Sequence, residues 1–195
     1  MKVYAVGGFV RDLVLDRERN DLDILVIGSG VEFAQKVADS LDITSISYFK
    51  NFGTAHFDFE GMNVEFVGAR KESYDRNTRK PIVEDGTFED DISRRDFTIN
   101  TLAISLNKKD FGKLIDTYDG YDHIKNQIIK TPLDPIKTFD DDPLRIMRAF
   151  RFASQLIFNI DETIMTASRE MRERLSIVSQ ERITDEFLKI IASPK

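Results

Sequence analysis

The chain has no cysteine and only two histidines. Disulfides and thiolate metal sites are therefore excluded, and His56 and His123 are too few and too distant in sequence to suggest an imidazole metal cluster. A cysteine-free sequence also fits a cytoplasmic location. Long apolar runs are missing as well. The stretch nearest the N-terminus, Val3 to Val10, is short, carries Gly7 and Gly8, and runs directly into Arg11-Asp12. It is neither a signal peptide nor a spanning helix, and no other run is long enough to cross a bilayer. There is no internal repeat and no low-complexity tract. Positive charge is in deficit, with 28 Lys and Arg against 34 Asp and Glu and a net charge of −6. So acidic a chain is not expected to grip a long nucleic-acid backbone unaided. It can still bind one locally, or bind nucleotides through metal ions that cancel carboxylate charge.

What is present suffices for a real core: 195 residues, 41% of them hydrophobic. Val3 to Val6 reads as a short buried strand, broken by Gly7-Gly8 and followed by helical spacing from Phe9 to Leu15. Asp21 to Ile27 is the clearest strand, alternating at first and then continuously apolar. Gly28-Ser29-Gly30 reads as a turn into an amphipathic helix from Val31 to Leu41; as a nucleotide loop a lone G-x-G is weak. Thr54 to Phe59 and Asn63 to Val67 read as a hairpin about Gly61-Met62, with glycine first as a type II′ turn requires. Ala69 to Asp91 is polar and reads as a long loop. Phe97 to Leu106 is apolar-periodic, and Leu114 to Asp116 reads as a short strand. From Pro143 helical spacing dominates, including a face made of Ile183, Phe187 and Ile190. The expected organisation is α+β, a mixed sheet flanked by helices over residues 1–138, then an all-helical segment over 139–195. The last helix needs something to pack against, so the chain is expected to be a fragment.

Asp21 and Asp23 are the central chemical feature. Residues two apart on a strand share a face, so two carboxylates sit side by side at the start of a buried strand. They repel one another, and burying them unpaired is costly. A divalent cation resolves both difficulties, and oxygen donors of this kind suit Mg²⁺, which keeps waters and takes phosphate oxygens as further ligands. Taken alone, the pair is also explained by a strand end dipping into solvent. Gly7-Gly8, at a strand-to-helix junction, adds a place where phosphate can approach the backbone. The combination describes a triphosphate held by amides while metal ions grip its oxygens and an attacking hydroxyl.

The stretch GGFVRDLVLDRERNDLDILV resembles the signature of the class II tRNA nucleotidyltransferase and bacterial poly(A) polymerase family, within the DNA polymerase β superfamily. The resemblance continues through Arg94 to Asn100 (RRDFTIN, the family's ribose-selecting block), Asp116 to Gly120, Asp141 to Ala149 (the base-selecting block) and Ser179 to Ile183. It implies a polymerase β-like head followed by a helical neck. It also implies Mg²⁺ on Asp21 and Asp23, and triphosphate contacts from Gly7, Gly8 and Arg11. In the ribose block, Asp96 would touch the 2′-hydroxyl, with Arg95 and Asn100 as further nucleotide contacts. Asp142 and Arg145 would read the base, Asp141 would hold Arg145, and Arg148 is a phosphate-binding candidate. The implied partners are CTP, ATP and the tRNA 3′ end, with the main RNA-binding region expected to lie outside this chain.

Local chemistry offers alternatives at several of these positions. Asp142 before Pro143 reads equally as a helix N-cap with proline at the first helical position. An ion-paired helix face accounts for Arg151, and one of Arg94 and Arg95 is expected to be structural. Glu65 is a candidate third carboxylate; the assumed turn sets it opposite Asp58, a like-charge pair that needs solvent or metal between. The stretch Phe49 to Ala55 (FKNFGTA) looks more like the CCA-adding branch than the poly(A) branch. A nucleotide- or RNA-binding module without activity is the remaining reading.

Overall fold

The computed structural model describes residues 1–49, 53–73 and 82–194. Its chain divides into two compact units. The first comprises Met1–Lys71, Glu84–Ile92 and Asn100–Thr117; the second comprises Glu72–Val83, Ser93–Ile99 and Tyr118–Lys195.

The first unit is built on a seven-stranded mixed sheet. Its strands are β1 (Lys2–Val6), β2 (Asp21–Ile27), β3 (Ser47–Phe49), β4 (Thr54–Phe59), β5 (Met62–Gly68), β8 (Ala103–Ser105) and β9 (Leu114–Ile115). They lie in the order β3-β4-β5-β2-β1-β8-β9. β2 runs parallel to β5 and antiparallel to β1. Alternation assigns the two faces. Leu22, Ile24 and Val26 of β2 share a face with Val64 and Phe66 of β5 and Ala55 and Phe57 of β4, and helix α2 (Gly30–Ser40) packs Ala34 and Ala38 into the same cluster. Burial of that face fixes the register, because a one-residue slip would send Asp23 into the core and Ile24 out. Helix α1 (Gly8–Val14) follows β1 and buries Val10 completely.

The start of α2 shows why Gly28-Ser29-Gly30 has that composition. Ser29 caps the helix by accepting the Glu32 N–H at 3.2 Å. A Cβ on Gly30 would stand 2.7 Å from the Gly68 nitrogen and 2.9 Å from the Val67 carbonyl carbon, and one on Gly68 would stand 2.8 Å from the Gly28 oxygen. The G-x-G lets a helix start rest directly on the end of β5; it is a packing device, as the turn reading expected.

The hairpin differs from expectation by one residue. Phe59 pairs with Met62, so the two-residue turn is Glu60-Gly61 rather than Gly61-Met62. Both turn residues have positive φ, 50° and 81°, the type I′ pattern that matches strand twist. The consequence is a new partner for Glu65: it faces His56, and Asp58 faces Asn63. The segment read as a long loop also carries structure. Arg70–Ser73 (β6) and Ile82–Asp85 (β7) pair as a two-stranded sheet, and Phe88–Ser93 forms α3. Residues 74–81 of that segment, and Lys50 to Phe52 of the FKNFGTA stretch, lie outside the described residues.

The second unit contains α4 (Gly120–Lys125), α5 (Pro135–Asp141), α6 (Leu144–Leu156), α7 (Glu162–Met171), a 3-10 turn at Arg172–Ile177, and α8 (Gln180–Ile191). The part after Pro143 is helical except for β11 (Asn159–Ile160), which pairs in parallel with β10 (Ile128–Ile129). Phe97, Ile129, Phe139, Ala149 and Ile164 are fully buried here. The inward position on α8 is not Phe187, which is 51% exposed, but Glu186, which is 5% exposed.

The Gly30–Gly68 contact gives a direct test. Gly30→Ala forces a methyl against backbone that cannot rotate away and should cost about 1–3 kcal/mol in denaturant unfolding. Gly8→Ala, whose Cβ meets nothing nearer than the Arg11 guanidinium at 3.5 Å, should leave stability close to wild type.

Candidate active site

The strand period places Asp21 and Asp23 on the face of β2 opposite the Leu22/Ile24/Val26 core. Pairing extends that face sideways. Asp23 lies between Val6 of β1 and Glu65 of β5, and Glu65 in turn neighbours His56 of β4. Asp21 lies beside Asn63. Asp21 is exposed and Asp23 half-buried. The acidic pair therefore sits where the sheet meets solvent, with a buried sheet holding it from behind.

Val6 is also the last residue before the glycine turn, so the register that pairs it with Asp23 brings Gly7 and Gly8 to the same end of the sheet as the carboxylates. Gly7 has φ 73° and ψ −136°, a conformation that L side chains rarely adopt. It lets β1 turn straight into α1, with the Gly7 N–H donating to the Leu102 carbonyl at 3.3 Å and the Gly7 carbonyl accepting from Arg11 N–H at 3.1 Å. The first-turn amides of a helix lack intrahelical acceptors and carry its positive dipole end.

Arg11 stands over this turn on two anchors. Its Nε and Nη2 donate to the two carboxylate oxygens of Asp12 at 2.9 and 2.7 Å, a two-pronged grip. Its Nη1 donates to Asn100 Oδ1 at 2.8 Å. Asn100 thus orients Arg11, and Asp12 joins the site as a residue the sequence reading passed over. The only signal for Asp12 was its place beside Arg11.

The donor set is one that a hard divalent cation fits. Across β1, β2, β5, β4 and β3 the row reads Val6, Asp23, Glu65, His56 and Ser47, so two carboxylates are direct neighbours with no lysine or arginine in the row. Like charges so placed are unfavourable unless water or a cation intervenes. Among the described residues no group of three His, Asp or Glu side chains converges as a self-sufficient metal cage. The carboxylates on this side of the sheet could hold an ion only if water or substrate oxygens completed its shell.

The second unit gathers the other candidate residues. Asp96 Oδ1 accepts the Phe97 N–H at 2.8 Å, and Asp96 Oδ2 accepts from Arg148 Nε at 2.9 Å and Nη2 at 2.6 Å. Arg148 also faces Glu186, with Nη1 to Oε1 at 3.8 Å, and Arg151 Nε lies 2.7 Å from the other Glu186 oxygen. Both guanidinium groups lie over the Phe152 ring, at 5.3 and 4.3 Å from its centroid. Burial works against the charge on Arg148, and Asp96, with Glu186 and Asp142 behind it, more than offsets that and raises the pKa above the ordinary arginine value. Arg151 is ion-paired as expected, but largely buried rather than on a solvated face, and Arg148 is tied to the Asp96 carboxylate.

Arg145 is buried and donates from Nη2 to the Arg94 carbonyl at 2.6 Å. The helix start differs slightly from expectation. Pro143, not Asp142, is the N-cap of α6, and Asp142 has extended backbone one residue earlier. The Asp142 carboxylate nevertheless accepts the Leu144 N–H at 3.1 Å, so it does the work of a cap from one position outside. Arg174 holds the end of α5 just before Asp141-Asp142: its Nε lies 3.1 Å from Asp140 Oδ1 and its Nη2 donates to the Asp140 carbonyl at 2.9 Å.

Residues 3–130 match the family model for the poly A polymerase head domain, and residues 157–195 match that of the probable RNA and SrmB-binding site of polymerase A. The A-adding tRNA nucleotidyltransferase of Aquifex aeolicus is 40% identical over 163 residues, covering 84% of this chain and 19% of its own. The CCA-adding enzyme of Lactobacillus helveticus is 39% identical over 195 residues, covering 99% of this chain and 47% of its own. Among solved structures, an apo form of a CCA-adding enzyme superposes with TM-score 0.90 at 37% identity, over 100% of this chain and 46% of that one. The Thermotoga maritima CCA-adding enzyme complexed with tRNA superposes with TM-score 0.84 at 35% identity, over 100% of this chain and 44% of that one. The chain spans about half the length, or less, of these relatives. It belongs to the poly A polymerase head-domain family of nucleotidyltransferases, alongside the CCA-adding and A-adding enzymes.

Proposed function

We propose that this chain carries the catalytic head, residues 1–138, and the base-recognition neck, residues 139–195, of an enzyme that adds CMP and AMP from CTP and ATP to the 3′ end of tRNA. The carrying observation is the row at β2. Asp21 and Asp23 share one side of a strand whose register sets Asp23 against Val6, the residue before the Gly7 turn. A cytoplasmic setting fits the cysteine-free sequence.

Enzymes of this nucleotidyltransferase family use divalent metal ions, and Mg²⁺ is the ion proposed here, held by Asp21 and Asp23. When bound it supplies charge neutralisation on the triphosphate and a more acidic attacking hydroxyl. Every other contribution comes from the chain itself. The backbone at Gly7 and Gly8 admits phosphate oxygens without a side chain in the way. Arg11 adds a fixed positive charge, and because Asp12 and Asn100 already hold it, little rotamer freedom is lost when substrate arrives. Asp96 accepts the ribose 2′-hydroxyl. Asp142 accepts the exocyclic amino group shared by cytosine and adenine, and Arg145 donates to their ring nitrogen. Uracil and guanine present the reverse pattern and leave these groups unpaired. Catalysis by such a site is positioning and electrostatic stabilisation, with no covalent enzyme intermediate.

The chain alone is expected to handle tRNA poorly; in transfer assays with the complete enzyme, Asp21→Ala should lower turnover by at least about 10²–10³-fold. Retained activity would overturn the metal assignment. Gly8→Ala should fold normally yet weaken triphosphate binding, read as CTP affinity by calorimetry with Mg²⁺. For base reading, CTP and ATP should bind more tightly than UTP and GTP, and Arg145→Ala should erase the difference. Equal affinity for all four in the wild type would discredit the Asp142/Arg145 assignment. Incorporation of ATP with negligible CTP would favour a poly(A) polymerase of the same family.

A further inference from the structure

Glu186 is the one buried carboxylate on α8, and nothing in the base- or ribose-selecting blocks accounts for it. A lone glutamate facing inward on an amphipathic helix is costly unless paired. Here it pairs twice, with Arg151 at 2.7 Å and Arg148 at 3.8 Å. The second of these matters for chemistry, because Arg148 is also the residue that grips Asp96 through two N–H groups on a single carboxylate oxygen. Arg151, Glu186, Arg148 and Asp96 thus form a chain of alternating charge within the second unit, with both guanidinium groups stacked on Phe152.

We infer that Glu186 is a positioning residue for sugar selection: it holds the Arg148 guanidinium in the orientation that fixes the Asp96 carboxylate. Among the contacts that fix that carboxylate plane are the Phe97 N–H on Oδ1 and the two-pronged Arg148 on Oδ2. Arg148 lies three residues from Arg151 on the same helix, and without the negative charge between them the two cations repel across one turn. The guanidinium then gains freedom at its Nη1 end, and the carboxylate it holds loses its fixed aim. A hydrogen bond to the 2′-hydroxyl depends directly on that aim, whereas in base reading Arg145 is held by the Arg94 carbonyl, and Asp142 meets Arg148 through its charge. The inference rests on the ribose role proposed for Asp96.

The test compares equilibrium binding of CTP and dCTP, with Mg²⁺, to the wild-type chain, Glu186→Gln, Asp96→Asn and Ile164→Val. Glu186→Gln should reduce the CTP-to-dCTP affinity ratio by about tenfold, the equivalent of one misplaced charge-assisted hydrogen bond, while the CTP-to-UTP ratio stays at its wild-type value. Ile164→Val, a core truncation in the same unit, should lower thermal stability without moving either ratio. If Glu186→Gln leaves the sugar ratio unchanged while Asp96→Asn lowers it, Glu186 is only a packing residue and the inference is wrong. If Asp96→Asn itself leaves the ratio at wild type, the ribose reading falls and the inference with it. Should Glu186→Gln fail to fold, Arg148→Lys makes the same measurement. An ammonium keeps the charge but loses the planar two-pronged grip, and an unchanged sugar ratio there overturns the inference equally.

Discussion

The two-residue period of β2 is the constraint on which the rest depends. Leu22, Ile24 and Val26 are committed to the sheet's buried face by Phe66, Phe57 and the alanines of α2. That commitment leaves Asp21 and Asp23 no choice but the opposite side. The core thereby supplies the free energy that holds two carboxylates together against their repulsion, and the same pairing that buries Ile24 sets Asp23 beside the strand that ends at the glycine turn. A slip of one residue would destroy core and site together, so stability and chemistry protect the same register.

Charged groups in both units follow a common pattern: each guanidinium at or behind a proposed substrate contact is first tied down by protein. Arg11 is held by Asp12 and Asn100, Arg145 by the Arg94 carbonyl, and Arg148 by Asp96 and Glu186. A flexible arginine would sacrifice side-chain entropy each time substrate bound. Preorganised ones have made that sacrifice during folding, which suits an enzyme expected to select nucleotides with protein groups alone.

Features set by local periodicity and steric rules were legible in the sequence. β2 was read to the residue, β4 likewise, and the G-x-G was rightly read as a turn rather than a phosphate loop. What failed depended on choices between neighbours. Gly61 can occupy either position of a two-residue turn, and only the pairing of Phe59 with Met62 shows that Glu60 also takes positive φ, which moves Glu65 from Asp58 to His56. On α8 the inward stripe could pass through residue 186 or 187. Hydrophobicity favoured Phe187, and the two arginines of α6 selected Glu186. The short elements β3, α4, β10, β6 and β7 carry too few residues for periodicity to register. Asp12 escaped notice because its role exists only once Arg11 folds back upon it.

The most direct test of the account is whether Asp21 and Asp23 together bind a divalent ion in the presence of nucleotide. Mn²⁺ titration followed by electron paramagnetic resonance, with a non-hydrolysable CTP analogue present, measures this on the protein itself. The account predicts tight nucleotide-dependent Mn²⁺ binding in the wild type and its loss in the Asp21→Asn/Asp23→Asn double variant, with the fold intact. Undiminished Mn²⁺ binding in that variant would contradict it.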